Sequence, residues 1–185
     1  MKPKLIITGH ARHGKDTVCE ILRDKHNYTF ESSSHILAEE VVFPALADKY
    51  GYSTVEECYA DRINHRKEWF ELLKAYNSPD ATHLGRKIFE KYDIYCGLRN
   101  IHELHAMQLK KLFDVVIWVD AGSRVPEIES TDSMTIPRDY ADIILWNSGT
   151  KSDLVDAVAD LTTILENFSI HFIRRNKQLE LGGGK

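Results

Sequence analysis

The stretch that decides the fold reads Gly9-His10-Ala11-Arg12-His13-Gly14-Lys15-Asp16-Thr17. The apolar run Leu5–Thr8 precedes it and the amphipathic run Val18–Leu22 follows it, which predicts a strand, a glycine-bracketed loop and a helix. The spacing matches the phosphate-binding loop G-x-x-x-x-G-K, with aspartate where serine or threonine usually stands. The sequence therefore predicts a binding site for a nucleoside triphosphate.

The residue types in this loop suit phosphate chemically. Gly9 and Gly14 can turn the chain tightly without a Cβ clash, so that successive N–H groups point inward. The helix that begins near Lys15 adds the positive end of its dipole, and the lysine itself would neutralise β- and γ-phosphate oxygens. The candidate cofactor-binding residues of the loop are Gly9, Ala11, Arg12, His13, Gly14, Lys15, Asp16 and Thr17.

Length and composition predict one folded domain. The chain has 185 residues, of which 43% are hydrophobic and 28% charged, and this balance excludes a disordered protein. We expect a single domain over residues 1–180 and a flexible glycine-rich tail over 181–185. The net charge of −4 argues against a protein that binds polyanions over its whole surface, although a local basic groove remains open.

Several features favour the cytoplasm. No apolar run approaches the ~18 to 20 residues of a membrane span, so we expect no membrane association. The first predicted strand follows Met1-Lys2-Pro3-Lys4 directly and leaves no room for a signal peptide. The three cysteines are scattered, which predicts idle thiols in a reducing compartment rather than disulfides or a zinc site.

Strands alternate with helices along the chain, which predicts an α/β fold whose parallel sheet is covered on both faces. The predicted strands are Leu5–Thr8, Tyr28–Glu31, Ile94–Leu98, Val115–Asp120 and Ala141–Trp146. Residues 35–91 read as helices and predict a substrate lobe, with Pro44 as a kink and Ser53 as the start of a capping box with Glu56. Residues 121–139 form a possible lid, and the last helix is predicted over 152–168, with 170–179 left open between strand and helix end.

Ligands of such sheets bind beyond the carboxyl ends of the strands. This rule gathers the loop at Gly9 with residues 32–34, 97–99, 120–124 and 147–150 around one crevice. Phosphoryl transfer requires positive charge around the transferred group. The candidate cationic residues besides Lys15 are Arg12, Arg62, Arg66, Arg86, Arg99 and Arg124.

Arg62 and Arg66 are four residues apart in a predicted helix and would share a face with Trp69. Two guanidiniums above an aromatic ring could hold an acceptor phosphate and stack on a base. The alternative is a solvated face on which Asp61 and Glu68 are their ion-pair partners. The candidate substrate-binding residues are Ser33, Arg62, Arg66, Trp69, Arg86 and Arg99.

The candidate catalytic residues are Lys15, Asp16, Arg99 and Arg124. Arg99 follows the third strand directly at the crevice rim, and Glu103 one helical turn later could orient it. Arg124 lies in the polar loop after the fourth strand, where closure of a lid could deliver it to the transferring phosphate; a mobile surface loop is the alternative. Asp16 is the candidate metal ligand because Mg²⁺ prefers oxygen ligands. The third strand ends in Gly97 rather than an acid, and Asp120 could compensate.

These residues together resemble a known family. The loop segment Gly14–Thr17, the pair Arg99 and Glu103, and the segments 141–142 and 147–150 are similar to those of bacteriophage deoxynucleoside monophosphate kinases, which have the three-layer P-loop kinase fold. The resemblance implies a five-stranded parallel sheet with a helical substrate-binding insertion and transfer of the ATP γ-phosphate to a deoxynucleoside monophosphate with Mg²⁺. It also implies that Asn147, Gly149 and Thr150 border the adenine and that Arg62, Arg66 and Arg99 bind the acceptor phosphate.

Two other functions remain open. Related phage kinases phosphorylate hydroxymethyluracil within DNA, and for that acceptor we expect a basic track built from Arg62, Arg66, Lys67, Lys74, Arg86 and Lys87. A nucleotide-binding module without catalysis is the third possibility. The implied partners are a deoxynucleoside monophosphate or modified DNA, a homodimer is a possible assembly, and the implied location is the cytoplasm of an infected host cell.

Overall fold

Five short strands form one parallel sheet in the computed structural model, which describes residues 2–126 and 134–181, the side chains of 168–181 excepted. The strands are β1 (Leu5–Thr8), β2 (Phe30–Ser32), β3 (Ile94–Cys96), β4 (Val115–Asp120) and β5 (Ile143–Trp146). Their spatial order is β2-β3-β1-β4-β5. The central strands β1 and β4 are continuous apolar runs because both of their faces are covered. The predicted α/β class with five parallel strands is confirmed.

Eight α-helices lie in the described part of the chain: α1 (Lys15–His26), α2 (Ser33–Leu37), α3 (Phe43–Tyr50), α4 (Val55–Ala60), α5 (Arg66–Asn77), α6 (His83–Lys91), α7 (Ile101–Leu109) and α8 (Lys151–Leu181). A π-helical turn (Ala38–Val42) joins α2 to α3, and 3₁₀ turns occupy Asp61–Ile63 and Arg138–Tyr140. In that part, no helix combines the length and the apolar character needed to cross a bilayer.

The helices cover the sheet on both faces because successive strand side chains point in opposite directions. Leu5 and Ile7 of β1 pack in one core with the apolar stripes of α1 and α8. Ile6, between them, packs in a second core with α6, α7 and Trp118 of β4. The sheet is therefore the middle of three layers, and its carboxyl edge is left for the loops.

The helices between β2 and β3 form a lobe with its own core. Its buried residues are Leu37, Ala38, Val42, Leu46, Cys58 and Trp69. Within the lobe, the predicted helix through Pro44 is continuous but widens just before the proline, where the N–H of Phe43 donates to the carbonyl of Ala38. Proline has no N–H and its ring crowds the preceding turn, so a wider turn with i→i+5 bonding accommodates it without a break.

The helix that the sequence predicts after the capping box of Ser53 and Glu56 differs from the structure in two ways. Its cap is one residue later, since the Thr54 hydroxyl accepts the N–H of Glu57 and the Glu57 carboxylate accepts the N–H of Ser53. The helix is also interrupted between α4 and α5 by the 3₁₀ turn and by His65, whose φ is −123°. Arg62 consequently lies before α5 rather than within the same helix as Arg66.

The carboxyl-terminal part holds one long helix. Residues 170–179, which the sequence left open, belong to α8, and so does Leu181, the first residue of the predicted tail. Residues 182–185 of that tail lie outside the described residues. The possible lid over 121–139 is described at both flanks, and residues 127–133 lie outside the described part. Met134 and Ile136 of its second flank are buried in the sheet core.

Candidate active site

The loop between β1 and α1 adopts the turn that its glycines predict. Gly9 and Gly14 have positive φ angles of 136° and 95°, and Arg12 also lies in the left-handed region at 63°. A Cβ on Gly9 would collide with the carbonyl oxygen of Val119 on β4, so only glycine fits there. Among the residues that the structure describes, no side chain caps the start of α1. The N–H groups at the N-terminal end of a helix favour an anion such as a phosphate group.

Lys15 is the first residue of α1, and its side chain folds back over the loop. Its Nζ atom donates to the carbonyl oxygens of Gly9 at 2.9 Å and His10 at 2.7 Å. The residue is only 7% exposed. An ammonium held at the loop mouth adds positive charge where the helix dipole is already favourable. Together these groups can bind a di- or triphosphate.

His13 is fully buried within the loop. Its Nδ1 atom accepts the N–H of Ala121, the residue after β4, at 3.1 Å. Because Nδ1 accepts, the proton of the neutral ring is on Nε2, and Nε2 has no hydrogen-bond partner in the part of the chain that the structure describes. The sequence predicts His13 as a loop residue, but its bond to Ala121 is not visible in any sequence pattern.

Asn147 follows β5 and ties three elements together. Its Nδ2 atom donates to the carbonyl of His13 at 3.0 Å, and its N–H donates to the carbonyl of Asp120 at 2.7 Å. Its own carbonyl accepts from Nε of Arg124 at 2.8 Å. The residue is 8% exposed. Its amide thus holds the phosphate loop in place, whereas the sequence assigns it only to the border of the adenine.

A cleft of about 290 Å³ opens beside the phosphate loop. It is lined by Thr17, Glu20, Arg124, Asn147, Gly149, Thr150, Lys151 and Leu154. Arg124 is exposed at its edge, and its Nε atom donates to the carbonyl of Asn147. Guanidinium groups can stack on flat rings. The cleft joins the loop that would hold phosphates to a surface that could hold a base.

Gly149 and Thr150 shape the floor of this cleft. The hydroxyl and N–H of Thr150 both donate to Oδ2 of Asp153, at 2.8 and 2.7 Å, and so fix the start of α8. These bonds hold the pKa of the Asp153 carboxyl below its usual range. A side chain at position 149 would collide with Asp153. The main chain of this turn is thus the part that faces the cleft.

Asp16 is exposed at the start of α1, where the sequence predicts the metal ligand. One weak contact of its carboxylate is seen, a 3.5 Å bond from the Cys96 thiol. In the described part of the chain, no group of three or more His, Cys, Asp or Glu side chains converges on a metal position. The single carboxylate of Asp16 fits Mg²⁺, because this ion is commonly held by one or two carboxylates together with substrate phosphates and water.

Asp120, the acid considered as a second ligand, has other partners. Its Oδ2 atom lies 2.8 Å from Nε of Arg138, and its Oδ1 atom accepts the N–H of Gly122 at 2.8 Å. The Arg138 guanidinium also lies over the ring of Trp146, 4.6 Å from its centroid. Asp120 therefore ties the second flank of the predicted lid to the sheet.

The acceptor side of the crevice contains a buried polar network. The hydroxyl of Tyr95 on β3 donates to Oε1 of Glu103 at 3.0 Å, and the side chains of Ser33 and Asn77 lie beside this pair. Burial raises the pKa of Glu103 to about 7, against the opposing effects of Tyr95 and Asn77. The sequence predicts that Glu103 orients Arg99, whereas in the structure the Glu103 carboxylate accepts the Tyr95 hydroxyl and so joins α7 to the sheet.

Arg99 lies half-buried just beyond β3. Its carbonyl accepts from the N–H of Thr135 at 3.0 Å and from the Thr135 hydroxyl at 3.2 Å. The same hydroxyl accepts the N–H of Ile101. The second flank of the predicted lid thus contacts the segment that carries Arg99. Arg99 itself lies at the carboxyl edge of the sheet, where the sequence predicts it.

Three predicted substrate residues have other surroundings in the structure. Trp69 is 8% exposed in the core of the lobe, so its ring is not presented to a base. Arg86 pairs with Asp80 at 3.0 Å. Arg62 lies over the ring of Tyr59 and donates to the Tyr59 carbonyl at 3.0 Å. The predicted shared helix face of Arg62, Arg66 and Trp69 is wrong, because the helix is interrupted and the tryptophan points inward.

The acids considered as ion-pair partners of these arginines bind elsewhere. Asp61 accepts from Tyr52 at 2.7 Å and lies 3.0 Å from Nε2 of His65. Glu68 is bonded to Lys49 and Tyr50. Asp61 and Glu68 are thus engaged by other residues of the lobe, and neither forms an ion pair with Arg66.

The outer side of α5 is consequently basic. It carries Arg66, Lys67, Phe70 and Lys74, which we call the α5 basic face, and one exposed acid, Glu71, stands among them. Spacings of three and four residues place these side chains next to one another. The three cations are exposed and have no ion pair within residues 2–126 and 134–167, and Phe70 is 58% exposed.

At the sequence level, no protein-family model and no curated protein matches the chain. Solved structures do resemble it. A gluconokinase from Sinorhizobium meliloti 1021 is 12% identical, with a TM-score of 0.50 over 92% of this chain and 97% of that one. A shikimate kinase from Aquifex aeolicus vf5 is 17% identical (TM-score 0.46, 89% and 97% covered), and TT1252 from Thermus thermophilus is 18% identical (TM-score 0.47, 90% and 98% covered). The strand order, the phosphate loop and the likeness to the gluconokinase show that this chain has the P-loop kinase fold.

Proposed function

We propose that this protein is an ATP-dependent kinase that transfers the γ-phosphate to a deoxynucleoside monophosphate. The observation that carries the proposal is the phosphate loop, with its positive-φ glycines, the start of α1 directly after it and the Lys15 ammonium at its mouth. The likeness to a gluconokinase supports a kinase in general, and the resemblance to phage deoxynucleoside monophosphate kinases supports this acceptor.

The donor nucleotide would bind from the loop into the adjoining cleft. Its phosphates would take the N–H groups at the start of α1, and Lys15 would exchange its loop carbonyls for β- and γ-phosphate oxygens. Its base would lie between Arg124 and the turn Asn147–Thr150. This arrangement holds the γ-phosphate at the mouth of the loop, facing the acceptor side.

Asp16 would hold Mg²⁺ directly or through water, and the ion supplies neutralisation of the phosphate charge. Arg99, at the rim after β3, would bind the acceptor phosphate and stabilise the charge that develops on the transferred group. Ser33, which begins α2 directly after β2, would contact the acceptor from beside the neighbouring strand. The acceptor phosphate needs no general base, since its oxygen is already anionic.

A radiolabelled-ATP transfer assay tests the proposal. The acceptors would be the four deoxynucleoside monophosphates, hydroxymethyl-dUMP, and DNA with and without hydroxymethyluracil. Label on a free deoxynucleotide supports the proposal and identifies the base. Label on DNA alone would replace the proposed acceptor, and label on none of them would refute it.

The α5 basic face favours a second candidate function, phosphorylation of hydroxymethyluracil within DNA. Three cations that have no ion pair among the described residues lie beside an exposed aromatic ring and outnumber the one acid of this face, Glu71. This arrangement suits a single strand, whose phosphates the cations would contact and whose bases would stack on Phe70. Two members of the predicted basic track are engaged elsewhere, Arg86 with Asp80 and Lys87 with Glu40. The track is thus reduced to the cations around α5.

Binding of a single-stranded oligonucleotide separates the two candidates. For a DNA acceptor, Lys67→Glu and Lys74→Glu should each weaken binding and reduce the slope of log K against log salt by about 0.7. Lys91→Glu is the matched control, because this exposed lysine ends α6 at the amino edge of the sheet, away from the crevice. Equal loss in all three variants, or no binding at all, would remove this second candidate.

A further inference from the structure

The phosphate loop and the base-side cleft are joined by a closed ring of hydrogen bonds. From His13 the ring runs through Nδ1 to the N–H of Ala121, at 3.1 Å. The carbonyl of Ala121 accepts the N–H of Arg124 at 2.8 Å, and the Arg124 side chain donates to the carbonyl of Asn147 at 2.8 Å. The Asn147 amide returns to the carbonyl of His13 at 3.0 Å. Each member therefore fixes the position of the next.

Within this ring of hydrogen bonds, His13 takes part twice. Its carbonyl accepts from Asn147, and its imidazole Nδ1 accepts from Ala121; only the second bond requires a particular side chain at position 13. Any residue at position 13 would offer the carbonyl that Asn147 binds. An apolar residue would fill the buried space without accepting the N–H of Ala121. The imidazole supplies that acceptor, although its own Nε2–H remains without a partner among the described residues. Burying the imidazole leaves its Nε2–H donor unsatisfied within the described part of the chain. The hydrogen bond that Nδ1 accepts is therefore what distinguishes histidine from an apolar residue at this position.

We propose that His13 is a positioning residue for the donor nucleotide: its ring fixes the turn that carries Arg124 against the phosphate loop. The distance between the phosphate site and the base-side arginine is then set by the protein before ATP binds. The side chain of His13 acts through Ala121 and Arg124 and does not itself contact the nucleotide. This inference rests on the proposed ATP site, because it concerns how the two halves of that site are held in register.

Loss of the bond between His13 and Ala121 should change the affinity for ATP but not the affinity for inorganic triphosphate. ATP spans both the phosphate loop and the cleft, whereas inorganic triphosphate occupies the loop alone. Loss of the bond between His13 and Ala121 releases the Arg124 turn and leaves Lys15 and the start of α1 unchanged. Affinity for ATP should fall while affinity for triphosphate stays the same.

Calorimetric titration of His13→Leu with Mg-ATP and with Mg-triphosphate measures this difference. We expect ATP to bind roughly ten-fold more weakly and triphosphate to bind as it does to the wild type, since one lost buried hydrogen bond corresponds to about that factor. Arg124→Ala should show the same pattern. The double variant should bind ATP no more weakly than either single variant, because both changes remove the contact between Arg124 and the base of ATP.

His13→Asn and His13→Gln provide the matched pair. The Asn side-chain oxygen stands near the position of Nδ1 and should restore ATP affinity, whereas the Gln oxygen extends one bond further and should not. This comparison also decides the question if His13→Leu fails to fold. Rescue by Asn alone would not follow if His13 merely filled space.

The outcomes separate this inference from the proposed function. Failure of the wild type to bind ATP would refute the proposed function and the inference with it. A wild type that binds ATP, with a His13→Leu variant that binds ATP equally well, would refute the inference alone. Equal loss of ATP and triphosphate, or additive losses in the double variant, would show that His13 maintains the loop itself and would also overturn the inference.

Discussion

Replacing Glu103 by glutamine should change how the stability of this protein depends on pH. The carboxyl of Glu103 is 7% exposed, and burial raises its pKa to about 7 from an ordinary value near 4.5. Between these two values the folded state keeps a proton that the unfolded state has released. Stability contributed by this group is therefore fully present below about pH 4.5 and is lost as the pH rises through about 7.

The size of this effect follows from the difference between the two pKa values. At about 1.4 kcal/mol per pKa unit, the wild type should lose up to ~3 kcal/mol of unfolding free energy from this one group between pH 4.5 and pH 8. Glu103→Gln removes the ionisation and keeps the shape. The glutamine variant should therefore gain stability relative to the wild type as the pH rises.

Urea unfolding of both proteins at pH 5, 6, 7 and 8 measures this difference. Other titrating groups contribute equally to both proteins, so the difference between the two curves isolates Glu103. Glu20→Gln is a control, since Glu20 is exposed on α1 and should give a curve parallel to the wild type. Parallel curves for Glu103→Gln and the wild type would refute the reasoning that burial governs this carboxyl.

Three further predictions concern the acceptor, the lobe and the metal. Arg99→Ala should lower turnover by about 100-fold, because one donor to the developing charge is lost. The affinity for ATP, measured by calorimetry, should stay near that of the wild type. A loss of ATP affinity with little loss of turnover would place Arg99 on the ATP side. Trp69→Ala should destabilise the lobe by about 3 to 5 kcal/mol in urea unfolding, since the ring is buried in its core; a loss below about 1 kcal/mol would contradict that assignment. Asp16→Asn should raise the Mg²⁺ concentration for half-maximal activity by about ten-fold or more, as expected for a weakened metal site, and an unchanged Mg²⁺ dependence would remove Asp16 as a ligand.

The fold was predictable from sequence where the pattern is strong and local. The continuous apolar run of β4 has the predicted bounds, Val115–Asp120, because burial on both faces leaves no ambiguity of period. The glycine spacing likewise predicts the turn from β1 to α1. The interruption between α4 and α5 was missed because α4, the 3₁₀ turn and α5 all carry helix-compatible residues. The break is accompanied by side-chain contacts of Asp61 with Tyr52 and His65, which residue propensities do not record.

The site was predictable only in part, for a related reason. Lys15, Arg99 and Arg124 lie at the carboxyl edge because strand order places them there. The role of Asn147 depends on contacts across 134 positions of sequence, and no local pattern records them. Trp69 was named as a substrate-binding candidate, although aromatic residues at helical spacing are more often core residues than base platforms. Only the packing shows that it belongs to the core of the lobe.

The central claim is that the phosphate loop binds ATP and delivers its γ-phosphate to a nucleotide. Transfer of label from γ-labelled ATP to deoxynucleoside monophosphates by the wild type and by Lys15→Ala, side by side, tests it most directly. Lys15→Met retains the buried stem and separates loss of charge from loss of packing. We predict label transfer by the wild type and none by either variant, with both variants folded by circular dichroism. Undiminished transfer by the folded Lys15 variants would contradict the assignment of this loop as the catalytic site.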